Sequence, residues 1–159
     1  MTIGIIAVDP RELGEKSLGR RIDAVGHNTG NLAFSHAVTS HVAEPISYVS
    51  WQDHPKDVAE RCRVLVIPEA SAMNPVRDYA SRAEFLNEAR LPLVAVGLGA
   101  QARRIGDHVP LTPGTVDYVR ALSAWSDVIG VRGVYSGEVL KATGVSNYEV
   151  RNCQILWMG

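Results

Sequence analysis

Three short polar loops contain residue types that suit anion binding or proton transfer. The first, residues 26–31, leads straight into a predicted helix over 31–42. Backbone amides at the start of a helix attract phosphate or carboxylate, and Gly30 lets a ligand approach the backbone. His27 could exchange a proton with a bound hydroxyl. Alternatively, Asn28 or Thr29 caps the helix and His27 is exposed, which the local sequence alone favours.

The second loop follows a predicted strand over 93–96. Residues 97–102 read Gly-Leu-Gly-Ala-Gln-Ala and formally match the GxGxxG/A dinucleotide fingerprint. Glycine and proline interrupt the helix that this motif requires, and no acidic residue ends the next strand, so we reject an NAD site. Gly99 still permits close approach of a ligand, which Gln101, Arg103 and Arg104 would line. A tight turn with solvated arginines is the equally weighted alternative.

The third loop, residues 132–136, follows a predicted strand over 128–131. Arg132 would direct a planar cation into a cleft and pair with a ligand carboxylate. A buried structural arginine paired with an acidic neighbour is an equal alternative. Ser136 is predicted to cap a short helix that stops at Gly144.

The elements that must position these loops alternate along the chain. Continuous apolar runs predict strands over residues 3–8, 46–49, 64–67, 93–96, 128–131 and 148–150. Helical periodicity lies between them and is clearest from Asn74 and Pro75 to Leu86. Residues 9–29 show weak periodicity, which predicts a loop.

This alternation predicts an α/β domain with a doubly wound, mostly parallel sheet flanked by helices. Ligands bind such sheets beyond the carboxyl ends of the strands, where the second and third loops lie. Glu69 also follows a strand and could act as an acid, but one carboxylate is not a catalytic pair.

Composition limits the classes of function. The 159 residues suit one domain, and 46% hydrophobic with 21% charged residues predicts a folded core. A net charge of −1 gives no general basic field for nucleic acid. The histidines lack metal-ligand spacing, and no P-loop or GxSxG motif occurs, so we expect no metal or cofactor.

Cysteine usage and hydropathy predict the compartment. Cys62 and Cys153 form neither a disulfide framework nor a structural zinc site, which fits a reducing interior. The apolar run over 3–8 lacks a basic leader, and no apolar stretch approaches the ~20 residues that span a bilayer. We therefore expect a cytoplasmic protein with no signal peptide and no transmembrane segment.

Several motifs, taken in order along nearly the whole chain, resemble the polysaccharide pyruvyl transferase family. They are Asn-Thr-Gly-Asn at 28–31, Pro-Glu-Ala at 68–70, Val-Gly-Leu-Gly-Ala-Gln at 96–101, Val-Arg-Gly-Val-Tyr-Ser at 131–136 and Gly-Val-Ser-Asn at 144–147. Cys153 continues the match. The resemblance implies one lobe of a glycosyltransferase-B-type fold. It also implies transfer of pyruvate from phosphoenolpyruvate to sugar hydroxyls as a ketal, in exopolysaccharide or cell-surface polysaccharide biosynthesis.

The resemblance places the amino-terminal motif and the loops at Gly99 and Arg132 in one cleft. His27 and Arg132 are then the catalytic candidates. The substrate-binding candidates are Asn28, Gly30, Asn31, Gly99, Gln101 and Arg103. Phosphoenolpyruvate is the expected donor substrate and a saccharide the expected acceptor.

The sequence departs from the family in two respects. Residues 152–154 read Asn-Cys-Gln where the family usually has Gly-Cys-Pro, and the second lobe is missing from the 159 residues. We therefore expect the amino-terminal lobe alone, with a partner lobe or a second copy covering apolar residues 155–158. The alternatives are a non-catalytic lobe that binds an anion or a partner subunit, and a nucleotide-sugar glycosyltransferase of similar architecture.

Overall fold

A computed structural model of the protein describes residues 1–14, 17–24, 30–102, 104 and 109–151, with the backbone alone for Ala24. Strands within these ranges are Thr2–Ile6 (β1), Ile46–Val49 (β2), Cys62–Pro68 (β3), Leu93–Val96 (β4), Ile129–Val131 (β5) and Tyr148–Val150 (β6). Helices are Pro10–Gly14 (α1), Leu18–Ala24 (α2), Gly30–Ser40 (α3), Pro55–Arg61 (α4), Ala80–Ala89 (α5), Pro113–Trp125 (α6) and Val134–Ala142 (α7). Each predicted strand is therefore present, with small shifts at the ends of β1, β3 and β5.

The strands pair in parallel. Four form a sheet in the order β2-β1-β3-β4, and β5 pairs with β6. Leu98, two residues past β4, forms a parallel bridge with Val131 of β5. Its amide donates to the Gly130 carbonyl at 2.9 Å, which brings the two-stranded pair alongside β4.

Alternating residues of the central strands pack into two cores. Ile5 and Val66 pack with Phe34 and Val38 of α3 on one face. On the other face, Ile6, Leu65 and Ile67 belong to a larger cluster with Leu86 of α5 and Leu122 of α6. The sheet is thus covered by helices on both faces, which explains its continuous apolar runs. The prediction of an α/β domain with a mostly parallel sheet flanked by helices is confirmed.

The helix predicted to begin at Asn74 and Pro75 begins instead at Ala80. Asn74 Oδ1 accepts the amides of Val76 and Arg77, at 3.1 and 2.9 Å, and forms a turn. The Arg77 carbonyl then accepts the hydroxyls of Thr112 and Thr115 at the start of α6. These contacts hold the segment out of the helix, and its prediction as helix was wrong.

Two other local predictions need correction. Ser136 does not cap α7, because that helix begins at Val134 and Ser136 lies within its first turn. The predicted loop over 9–29 contains α1 and α2. Gly144, predicted to end α7, has a φ of 90° two residues beyond the helix.

No helix in the described part of the chain is long and apolar enough to cross a membrane.

Candidate functional site

A cleft of about 530 Å³ lies beyond the carboxyl ends of β1, β2 and β3. Its walls come from residues 6–9, 48–53 and 68–71, from the first turns of α3 and from the segment leading into α5. We call it the β1–β3 cleft. Because β1 lies between β2 and β3, the connections from these strands diverge here. Open α/β sheets bind ligands at such a switch point.

Glu69, the first residue past β3, is a buried carboxylate in the wall of this cleft. It is 7% exposed. Its Oε1 accepts hydrogen bonds from Arg82 Nη1 at 2.9 Å and from Tyr118 Oη at 2.7 Å. Burial raises the pKa of the carboxyl above its usual range, and the nearby Arg82 charge opposes that rise. Such a group in a cleft is a candidate for function as well as for structure.

Arg82 is held by aromatic rings as well as by Glu69. Its guanidinium carbon lies 4.2 Å from the Tyr79 ring centroid and 4.7 Å from that of Trp51. Trp51 in turn makes an edge contact with Phe85, with centroids 5.4 Å apart. These cation–π and ring contacts fix the guanidinium at the cleft wall with a quarter of the side chain exposed.

A second group of residues, the Gly99–Arg132 cluster, lies at the carboxyl ends of β4 and β5. The amide of Arg132 donates to the Leu98 carbonyl at 3.1 Å, and the Met73 amide donates to the Gly99 carbonyl at 3.1 Å. A Cβ placed on Gly99 would lie 2.5 Å from Arg132 Nη2 and 2.6 Å from its Nε. The guanidinium therefore occupies the space that glycine leaves open.

The Arg132 side chain makes no hydrogen bond or ion pair with any residue that the structure describes. The acidic neighbour that would make it a structural ion pair is thus not found within those ranges. Ser136 lies close by, and its Oγ accepts the Ala100 amide at 3.0 Å. The cluster presents a half-buried cation that suits a carboxylate or phosphate.

The cluster borders the cleft through Ala70. The Ala70 carbonyl also contacts the Cβ position of Gly99, and Ala70 lines the β1–β3 cleft. Ala70 therefore borders both the β1–β3 cleft and the Gly99–Arg132 cluster.

Comparison of the chain with protein-family models, curated proteins and solved structures finds no match.

The structure brings together only some of the predicted site residues. Gly99 and Arg132 are brought into contact, and Asn31 lines the cleft. Gly30 is the first residue of α3. Gln101 is not part of the cleft wall: its side chain is exposed, and its amide donates to the Met73 carbonyl at 2.8 Å. His27, Asn28 and Arg103 lie outside the described residues.

Sequence reasoning missed Trp51, Tyr79 and Arg82. Sequence-based candidates follow β3, β4 and β5, whereas none lies among residues 50–53 after β2, although these also line the cleft. The same rule about carboxyl ends of strands, applied to β2, points to Trp51. Nothing in the local sequence of α5 distinguishes Arg82 from a solvated arginine.

Proposed function

We propose that the protein is a polysaccharide pyruvyl transferase-like lobe that binds phosphoenolpyruvate for transfer of pyruvate to sugar hydroxyls. The observation that carries the proposal is the Arg132 guanidinium, which lies on Gly99 without a partner among the described residues. Phosphoenolpyruvate carries a carboxylate and a phosphate, and an arginine fork can donate two parallel hydrogen bonds to either group. The ordered motifs that resemble the family give the second support.

The reaction assigns separate tasks to the candidate residues. Two sugar hydroxyl oxygens bond to C2 of phosphoenolpyruvate. One hydroxyl proton passes to the methylene carbon, which becomes a methyl group, and the phosphate leaves with the second hydroxyl proton. In this proposal Arg132 holds the donor by charge-assisted hydrogen bonds. His27 transfers the proton to the methylene or takes it from the hydroxyl.

Calorimetric titration with phosphoenolpyruvate tests the donor site. We expect binding that Arg132→Ala weakens by about tenfold or more, because hydrogen bonds to charged groups contribute about 1.5–3 kcal/mol. Arg120→Ala is the matched control, since Arg120 is exposed on α6 and donates only to the Thr143 carbonyl among described residues. Absence of phosphoenolpyruvate binding, or equal binding by the Arg132 variant, would overturn the proposal.

Further assays of the same protein distinguish pyruvyl transfer from the two alternatives, a nucleotide-sugar glycosyltransferase and a non-catalytic anion-binding lobe. Preference for a sugar nucleotide over phosphoenolpyruvate would favour a glycosyltransferase. Transfer is measured as phosphate release and pyruvate gain on candidate glycans, with the chain alone and with a partner lobe supplied. His27→Ala should lower that rate. Binding without turnover in both settings would indicate a non-catalytic anion-binding lobe.

A further inference from the structure

Arg82 offers a guanidinium that is already oriented towards the β1–β3 cleft. Packing against Trp51 and Tyr79 and the bond to Glu69 restrict its motion. Arginine has five donors, and the bond that Nη1 makes to Glu69 leaves others for a ligand. A guanidinium fixed in this way loses little conformational freedom on binding.

Arg77 supplies a second cation in the wall of the same cleft. Its exposed side chain makes a long hydrogen bond, 3.5 Å, from Nη1 to Tyr79 Oη. The bonds from Thr112 and Thr115 to its carbonyl fix its backbone. Two arginines therefore reach the cleft, and no carboxylate among the described residues is ion-paired with Arg77.

The charges around the cleft balance when both arginines are counted. Asp9 is paired with Arg11, and Asp53 is paired with Arg61. Within the part of the chain that the structure describes, four carboxylates and four guanidiniums line the cleft or pair with its wall: Asp9, Glu12, Asp53, Glu69, Arg11, Arg61, Arg77 and Arg82. A balanced cleft suits a ligand with one negative charge better than a polyphosphate.

Glu69 adds an acceptor to this arrangement. Its Oε1 takes the hydrogen bonds from Arg82 and Tyr118, and no donor among the described residues is bonded to Oε2. Because Glu69 lines the cleft, a ligand hydroxyl can donate to that oxygen.

The remaining wall suits a sugar ring. The cleft is within the range of about 300–1,000 Å³ typical of small-molecule sites. Aromatic rings line it together with hydroxyl and amide side chains, which are Tyr48, Trp51, Tyr79, Ser50, Ser71 and Gln52. A divalent cation fits less well, because the described residues include no cluster of three potential metal ligands.

We propose that the β1–β3 cleft binds an acidic sugar, with its carboxylate on Arg82 and Arg77 and a hydroxyl on Glu69. The identification of this acidic sugar as the acceptor of pyruvyl transfer rests on the proposed function. The binding of an acidic sugar depends on the cleft residues alone.

Calorimetric titration with glucuronate, without phosphoenolpyruvate, tests the inference. Glucose, which lacks the carboxylate, is the matched ligand control, and Arg120→Gln is the protein control. We expect glucuronate to bind more tightly than glucose, and Arg82→Gln and Arg77→Gln each to weaken it about tenfold or more. If Arg82→Gln fails to fold, the exposed Arg77 still decides the outcome.

Equal affinity for glucuronate and glucose, absence of glucuronate binding, or unchanged binding by Arg77→Gln would overturn the inference. Parallel titration with phosphoenolpyruvate separates the two proposals. Donor binding without glucuronate binding removes only the acidic-sugar site. Glucuronate binding without donor binding removes the pyruvyl-transfer proposal and leaves the cleft as a sugar-acid site.

Discussion

Substitution of Gly99 by alanine tests whether Arg132 lies where the structure places it. The added Cβ would lie 2.5 Å from Arg132 Nη2 and 2.6 Å from Nε, and it would also contact the Ala70 carbonyl oxygen. Contacts under 3.0 Å require something to shift. The end of the arginine can move, but Ala70 is backbone, held by the strand that precedes it.

We expect Gly99→Ala to lower the free energy of unfolding by about 2 kcal/mol, within the range measured for overpacked sites. For a chain of this size that loss corresponds to a Tm lower by about 4–8 °C. Guanidinium chloride unfolding followed by circular dichroism measures the first quantity, and calorimetry the second. The double variant Gly99→Ala/Arg132→Ala should recover only the part due to the side chain, because the carbonyl contact remains.

Gly19→Ala is the matched control. Nothing lies within 4 Å of the Cβ position of Gly19, in α2. Alanine is the better helix former, so this variant should be unchanged or more stable by up to about 1 kcal/mol. A Gly99→Ala protein as stable as the wild type would refute the close contact between the Arg132 guanidinium and Gly99.

Three further variants test individual polar contacts of the fold. Tyr118→Phe removes the 2.7 Å hydrogen bond to Glu69. Unfolding in urea should show that the free energy of unfolding falls by about 1.5–3 kcal/mol. An unchanged urea midpoint would contradict that hydrogen bond. Burial raises the pKa of Glu69 above its ordinary value of 4.5, so its stabilising contribution is fully present below that value and lost as pH rises through the raised pKa. The stability of wild type relative to Glu69→Gln should therefore fall as the pH rises above the ordinary value of 4.5, and a constant difference would argue against the raised pKa. Asp78 accepts hydrogen bonds from the Ala80 and Gly114 amides, and the bond from Ala80 contributes most to lowering the pKa of its carboxyl. Asp78→Ala should therefore lower the Tm at neutral pH and have a smaller effect in acid. An equal loss of Tm at neutral and acid pH would contradict these contacts.

Much of the sheet was predictable because both of its faces are buried. A strand covered on two sides needs apolar residues at successive positions, as in Leu65, Val66 and Ile67, and such runs are visible without a structure. The bounds of β2, β4 and β6 were predicted to the residue.

The errors arose where one local pattern serves two structures. Asn74 accepts amides two and three residues ahead, as a helix cap does, yet here it forms a turn. The deciding contacts come from Thr112 and Thr115, 35 and 38 residues away from Arg77. Tertiary hydrogen bonds of that separation leave no signal in a local sequence window.

The candidate site was predictable only in part for the same reason. Gly99 and Arg132 could be proposed together because each follows a predicted parallel strand. Glu69 looked like a lone carboxylate, since its partners Arg82 and Tyr118 lie 13 and 49 residues away. The ring contacts of Arg82 depend on how α5 packs against Trp51, which no spacing rule supplies.

Chemical-shift mapping with phosphoenolpyruvate tests the donor site most directly. Titration of isotope-labelled protein should move the amide signals of Leu98, Gly99 and Arg132 and the Arg132 Nε signal, with smaller changes at Ala70 on the edge of the cleft. The Arg132→Ala variant should lose these changes while its other signals stay in place. Saturable shifts confined to the outer face of α5 and α6, or no shifts at millimolar phosphoenolpyruvate, would contradict a donor site at Arg132.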